Sequence, residues 1–175
     1  RFNKLRMDNC LSISSTPLHA MFLGSPGTGK TTVAKLMGKM LSRLGILSKG
    51  HVVIRERSTL MGPYYSNEET LTREAIEEAK GGILFIDEAY DLKNSENDSF
   101  GQEAINTILK LAEDRRGDIV VIIAGYTKEM GEFISSNSGL ESRFNRFLLF
   151  EDYSPDEMMG IFRMRCDKGQ YTLDA

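Results

Sequence analysis

Eight consecutive residues, Gly24-Ser25-Pro26-Gly27-Thr28-Gly29-Lys30-Thr31, fit the pattern G-x-x-x-x-G-K-[ST] without a gap. Glycines at this spacing let the backbone wrap with its N–H groups pointing inward. Those donors, with the positive end of a following helix, hold anionic oxygens. Lys30 adds an ammonium for β- and γ-phosphates, and the Thr31 hydroxyl is suited to Mg²⁺. The alternative is an ordinary glycine-rich turn before a helix. A chance match somewhere in a chain of this composition has a probability of about one in a hundred. The surroundings favour a phosphate loop: His19 to Leu23 reads as a short apolar strand, and Val33, Met37, Met40, Leu41 and Leu44 recur at helical spacing. The bound phosphate would belong to ATP or GTP.

A second acidic feature belongs with the loop. Asp87-Glu88 follows Ile83-Leu84-Phe85-Ile86, the most apolar strand pattern in the chain. Both carboxylates should emerge at the sheet edge where the phosphate loop begins. Asp87 would bind the metal on the Thr31 side or through its waters, and Glu88 could orient a water for in-line attack on a γ-phosphate. On its own, such a pair could equally cap the next turn.

The elements that must position these groups alternate along the chain. After the loop helix, His51 to Glu56 reads as a second strand, Ser58 to Ser66 as a loop, and Glu68 to Lys80 as a helix with Leu71, Ala75, Ile76 and Ala79 inward. Asn67 is placed to cap that helix. Gln102 to Arg115 reads as a helix, with Ile105, Ile108, Leu109 and Ala112 inward. Ile119 to Ala124 reads as a fourth strand, Thr127 to Ser135 as a short helix, Arg146 to Phe150 as a fifth strand, and Pro155 to Arg165 as a closing helix. Five apolar strands alternating with helices mean an α/β fold on a parallel sheet, with the strand C-termini at one ligand-binding edge.

Composition excludes several classes. The 175 residues, 41% apolar, suffice for one α/β domain. A net charge of −3 provides no broad attraction for nucleic acid or anionic lipid. Cys10 and Cys166, far apart in the chain, suit a reducing cytosol rather than a disulfide scaffold, so a cytoplasmic setting is expected. With only His19 and His51 beside them, a zinc site is not expected. No stretch reaches the length of a membrane span. The chain starts at Arg1 and its last helical pattern runs close to Ala175, which suggests a domain taken from something longer.

Taken with Gly24 to Thr31, three further runs carry a resemblance: Gly81 to Tyr90, Val120 to Tyr126, and Gly139-Leu140-Glu141-Ser142-Arg143-Phe144. Together and in this order they resemble the AAA+ ATPases of the CbbX/CfxQ and stage V sporulation protein K group, over about His19 to Tyr153. The resemblance implies a P-loop NTPase three-layer sandwich with a five-stranded parallel sheet in the order 5-1-4-3-2. Residues 1–17 would be a lead-in segment, residues 18–153 the nucleotide-binding subdomain, and residues 154–175 the start of a helical lid of which most is absent. It implies ATP and Mg²⁺ as cofactors. Gly24, Ser25, Pro26, Gly27, Thr28, Gly29, Lys30, Thr31, Thr32, Asp87 and Tyr126 would contact nucleotide, with Thr31 and Asp87 on the metal. The catalytic set would be Glu88, Lys30 and Arg143, with Arg143 reaching a neighbour's ATP across a ring interface. A guanidinium suits that task because it stays charged and can bridge phosphate oxygens. As a residue read alone, Arg143 is equally a solvated surface arginine, and Arg146 is a weaker second candidate. Tyr126 or Thr127 would occupy the sensor-1 region, where many relatives of the superfamily carry Asn.

The same resemblance implies a protein client gripped by an aromatic loop in the pore of a ring, hexameric in the full-length protein. Tyr64 keeps the aromatic handle, whereas Tyr65 and Ser66 depart from the usual aliphatic-Gly pattern, and both tyrosines could instead be surface loop residues. Two other readings stand beside the motor: a nucleotide-dependent switch or assembly scaffold, and a small-molecule P-loop kinase. Glu88 and the Ser-Arg-Phe box count against the kinase.

Overall fold

Strand β3 (Ile83–Ile86) has no polar residue, and all four side chains are buried, as required of a strand covered on both faces. The computed structural model describes residues 18–61, 68–93, 95, 98–115 and 117–171. Around β3 lie β1 (Ala20–Gly24), β2 (Val52–Arg55), β4 (Val120–Gly125) and β5 (Phe147–Phe150), all parallel, in the order β2-β3-β4-β1-β5. This is the order 5-1-4-3-2 read from the other edge. β1 and β4, which precede the phosphate loop and Tyr126, are direct neighbours, with Leu23 opposite Gly125.

The period-2 geometry of strands splits the core into two layers. Phe22, Ile83, Phe85, Ile122 and Ala124 pack on one face with Ala34 and Leu41 of α1 (Lys30–Arg43). Met21, Leu84, Ile86, Val121 and Ile123 pack on the other. That second face is covered by α2 (Arg57–Met61), α3 (Glu68–Glu78), α4 (Ser99–Asp114), α5 (Thr127–Ser135) and α6 (Ser138–Arg143). The last helix is α7 (Pro155–Gly169). The result is the three-layer sandwich expected.

Several local expectations need correction. Residues 58–61, expected as loop, belong to α2, because the Glu56 carbonyl accepts from the Thr59 and Leu60 amides and Leu60 is driven into the core. Met40 and Leu44 stay exposed: the buried stripe of α1 is Lys30, Ala34, Gly38 and Leu41, small where the helix lies close on the sheet. Helix α4 starts three residues before Gln102, since the Asp98 carboxylate accepts from the Gly101 amide and caps it there. On α3, Thr72 rather than Leu71 is fully buried, its hydroxyl donating to the Leu60 carbonyl. Strand β1 begins at Ala20, one residue later than expected, and the Val121 amide donates to His19 Nδ1. Arg146 precedes β5 and α7 continues past Arg165 to Gly169. The segment 1–17, Cys10, Asn67 and the Tyr64-Tyr65-Ser66 stretch lie outside the described residues.

Candidate active site

The loop from Gly24 to Gly29 leads from the end of β1 into α1 without a side-chain cap, so the first-turn amides of α1 are left for a ligand. Gly29 is the last residue before the helix and adopts φ +92°, a left-handed conformation that a side chain disfavours. An added Cβ at Gly27 would meet nothing within 4 Å. Lys30 is buried beneath it: its Nζ donates to the Gly24 and Ser25 carbonyls, both at 2.8 Å. Two of the ammonium's three donors are therefore held on the loop's own backbone. Thr28 is also turned into the loop, its hydroxyl donating to the Ser25 carbonyl at 2.7 Å.

The second wall comes from the ends of β3 and β4. Asp87 is half-buried and its Oδ1 accepts from the Glu88 amide at 3.2 Å, while the Glu88 side chain is exposed. Glu88 has φ +48° and ψ +47°, left-handed for a non-glycine residue, a conformation that costs about 1 kcal/mol or more and persists where the surroundings impose it. A 3₁₀ turn, Ala89–Leu92, follows at once. Its Tyr90 ring packs edge-on to β4, so close that a Cβ at Gly125 would lie 2.7 Å from Tyr90 Cε1. It also lies 6.2 Å from the Tyr126 ring. Burial, then the charges of Glu88 and Asp91, push the Tyr90 phenol up to about 12. Arg57 holds the turn from behind, donating to the Asp91 and Leu92 carbonyls at 2.8 and 2.6 Å and pairing with Asp98 at 2.9 Å.

These pieces enclose one cavity of about 300 Å³, lined by Gly24, Pro26, Gly27, Gly29, Lys30, Thr31, Thr32, Asp87, Glu88, Gly125, Tyr126 and Arg165. Most of the expected nucleotide-contacting residues are thus brought together. Ser25, through its carbonyl, and Thr28, through its hydroxyl, hold the loop together rather than line the cavity. Arg165, on α7, is a cation at this cavity that the sequence did not single out; its only signal was its place as the last residue of the expected closing helix. Tyr153 was not singled out either; its phenol donates to the Thr28 carbonyl at 3.0 Å.

The oxygen donors at this cavity, a threonine hydroxyl and an aspartate carboxylate, suit a hard cation such as Mg²⁺, which keeps several waters and takes few protein ligands. Among the described residues no cluster of three or more His, Cys, Asp or Glu could hold a metal by itself.

Arg143 stands apart. It ends α6 at the surface, with its side chain 32% exposed, and it does not line the cavity. Arg146 is exposed, and the Met21 amide donates to its carbonyl. Cys166 is buried as a free thiol. No helix among the described residues is long and apolar enough to cross a membrane.

The chain is 44% identical over 171 residues to stage V sporulation protein K of Bacillus subtilis, covering 98% of this chain and 53% of that protein. It is 42% identical over 172 residues to the chloroplastic ribulose bisphosphate carboxylase/oxygenase activase of Cyanidioschyzon merolae, covering 98% of this chain and 59% of the activase. It is also 43% identical over 173 residues to protein CbxX of Cupriavidus necator, covering 98% and 55%. The chain therefore spans little more than half the length of these relatives. Among solved structures, the FIGL-1 AAA domain in complex with ADP superposes with a TM-score of 0.62 at 20% identity, over 93% of this chain and 53% of that one, which is a likeness of fold. The profile of the ATPase family associated with various cellular activities (AAA) matches residues 20–152, from the first residue of β1 to two residues past β5. The chain belongs to the AAA family of ATPases.

Proposed function

We propose that the protein binds ATP with Mg²⁺ in the cavity between the phosphate loop and the ends of β3 and β4, and hydrolyses it to drive remodelling of a protein client by a ring of identical copies. Lys30 and the loop amides take the β- and γ-phosphates. Thr31 and Asp87 hold the cation, which when bound neutralises charge on the phosphate oxygens. The Glu88 carboxylate accepts a proton from water as its oxygen attacks the γ-phosphorus, the bond to the β–γ bridging oxygen breaks, and ADP and phosphate leave. The left-handed backbone at Glu88 supports this role, because such strain is held at positions where side-chain direction matters.

The observation that carries the reading is a division of parts. Lys30, Thr31, Asp87, Glu88 and Tyr126 share one cavity, whereas Arg143 is held outside it on the surface. A cation placed there is available to a neighbouring copy and not to its own site. The reading also takes residues 18–153 as the nucleotide-binding unit, residues 154–175 as the beginning of a lid, Tyr126 as the polar residue near the γ-phosphate, and Tyr64 as the client-gripping aromatic. The relatives' names point to different tasks, sporulation in one and activation of ribulose bisphosphate carboxylase/oxygenase in another, so the client is proposed only as a protein. A reducing cytoplasm is the setting proposed.

Mixing two variants tests the shared site. Arg143→Ala and Glu88→Gln are each expected to be inactive alone, and to recover phosphate release when mixed, because an intact cavity in one copy then meets an intact arginine in the next. No recovery at any ratio would refute the trans arrangement.

A further inference from the structure

The loop's amides can serve a phosphate only if their peptide planes face the cavity, and one of those planes is held from outside. The Tyr153 hydroxyl donates to the Thr28 carbonyl at 3.0 Å, and the tyrosine oxygen would lie 3.2 Å from a Cβ placed on Gly29. A trans peptide is planar, with its C=O and N–H on opposite sides, and no described peptide is cis. A Thr28 carbonyl held on Tyr153 therefore sends the Gly29 N–H the other way, and Gly29 lines the cavity.

We propose that Tyr153 is a positioning residue for the phosphate loop: by holding the Thr28 carbonyl outward it aims the Gly29 amide at the β-phosphate of the bound nucleotide. The proposal rests on reading Gly24 to Thr31 as the seat of nucleotide phosphates. Tyr153 comes from outside the loop and does not line the cavity. It is also the residue before Ser154, the N-cap of α7. The hydrogen bond that orients the loop thus also ties the start of α7 to it, and whatever strengthens one end of this link must strengthen the other. With 39% of the tyrosine exposed, removing its hydroxyl leaves the core layers untouched.

The test is Tyr153→Phe, which keeps the ring and deletes the donor. Calorimetric titration should show ADP and ATP binding weakened alike, by about 3- to 10-fold, the range of one hydrogen bond. Adenosine binding should stay within about twofold of wild type, and the Gly29 amide resonance should move less on ADP addition. Wild-type affinity for ADP in this variant overturns the proposal. A Lys30→Ala control separates the two levels: if that variant also binds ADP normally, the phosphate seat itself is misplaced and both readings fall. The unmodified protein supplies a second measurement, independent of whether the variant folds. ADP should slow hydrogen exchange at the Glu157 and Met158 amides at the start of α7, about two turns from the Arg165 that lines the cavity, and exchange there that is equal with and without ADP overturns the link.

Discussion

Arg143 and Glu113 meet on a single carboxylate oxygen: Nε and Nη2 of the arginine reach Glu113 Oε2 at 3.0 and 2.9 Å. The Gly139 carbonyl accepts from Nη1 at 3.3 Å, so the guanidinium is parked along the side of α6. Both side chains are about a third exposed, and a pair in that setting contributes under about 1 kcal/mol. Such a parked arginine can be released at little cost. Glu113→Gln should therefore leave the melting temperature within a few degrees of wild type and keep ATPase activity, whereas Arg143→Ala should lower turnover by about a thousandfold or more. A Glu113→Gln variant as inactive as Arg143→Ala would show that the pair is needed intact.

Glu88→Gln should separate binding from chemistry. The amide keeps the size and the exposed position of the carboxylate but cannot take a proton, so ATP should still bind while phosphate release falls by about a hundredfold or more. Lys30→Ala removes the cation from beneath the loop and should abolish the thermal shift that ATP induces in wild type. Turnover persisting in Glu88→Gln would move the catalytic role elsewhere.

The Tyr90 phenol sets a stability change at high pH. Its folded value of about 12 lies above the ordinary 10.0, so the folded state keeps its proton after the unfolded chain has lost it. Stability from this group is complete below pH 10 and is lost as the pH rises toward 12, at most about 2 kcal/mol for a ring only partly buried. Denaturation of wild type and Tyr90→Phe across this window should show the steeper decline in wild type. Parallel curves would contradict it.

The start of α7 responds at the acid end. The Ser154 hydroxyl accepts from the Glu157 amide and the Glu157 carboxylate accepts from the Ser154 amide at 2.8 Å, a reciprocal cap. The backbone hydrogen bond from Ser154, then that from its hydroxyl, hold the Glu157 carboxyl below its ordinary range. A lowered value means that the cap is complete above the unfolded carboxyl's pKa and is lost as the pH falls through the folded one. Exchange protection of the α7 amides should drop in mild acid while that of β3 does not, and Ser154→Ala should produce the same loss at neutral pH. Protection of α7 unchanged in Ser154→Ala would show that the cap does not hold the helix.

The chain's local patterns carried the strands, the order of the elements, and the residues from Gly24 to Thr31 and at Asp87-Glu88, because each depends on near neighbours: an uninterrupted apolar run, a glycine spacing, an acidic pair at a strand end. Contacts between distant segments decided the rest. That residues 57–61 coil into α2, that Met40 faces solvent, and that Arg57 braces the turn after Glu88 follow from which surfaces the sheet brings together. Tyr153 lies 125 residues from Thr28 and Arg165 is farther still from the loop, and a spacing of that length has no periodicity to read. Only the parallel stacking of β5 beside β1 sets Tyr153 and the start of α7 against the phosphate loop.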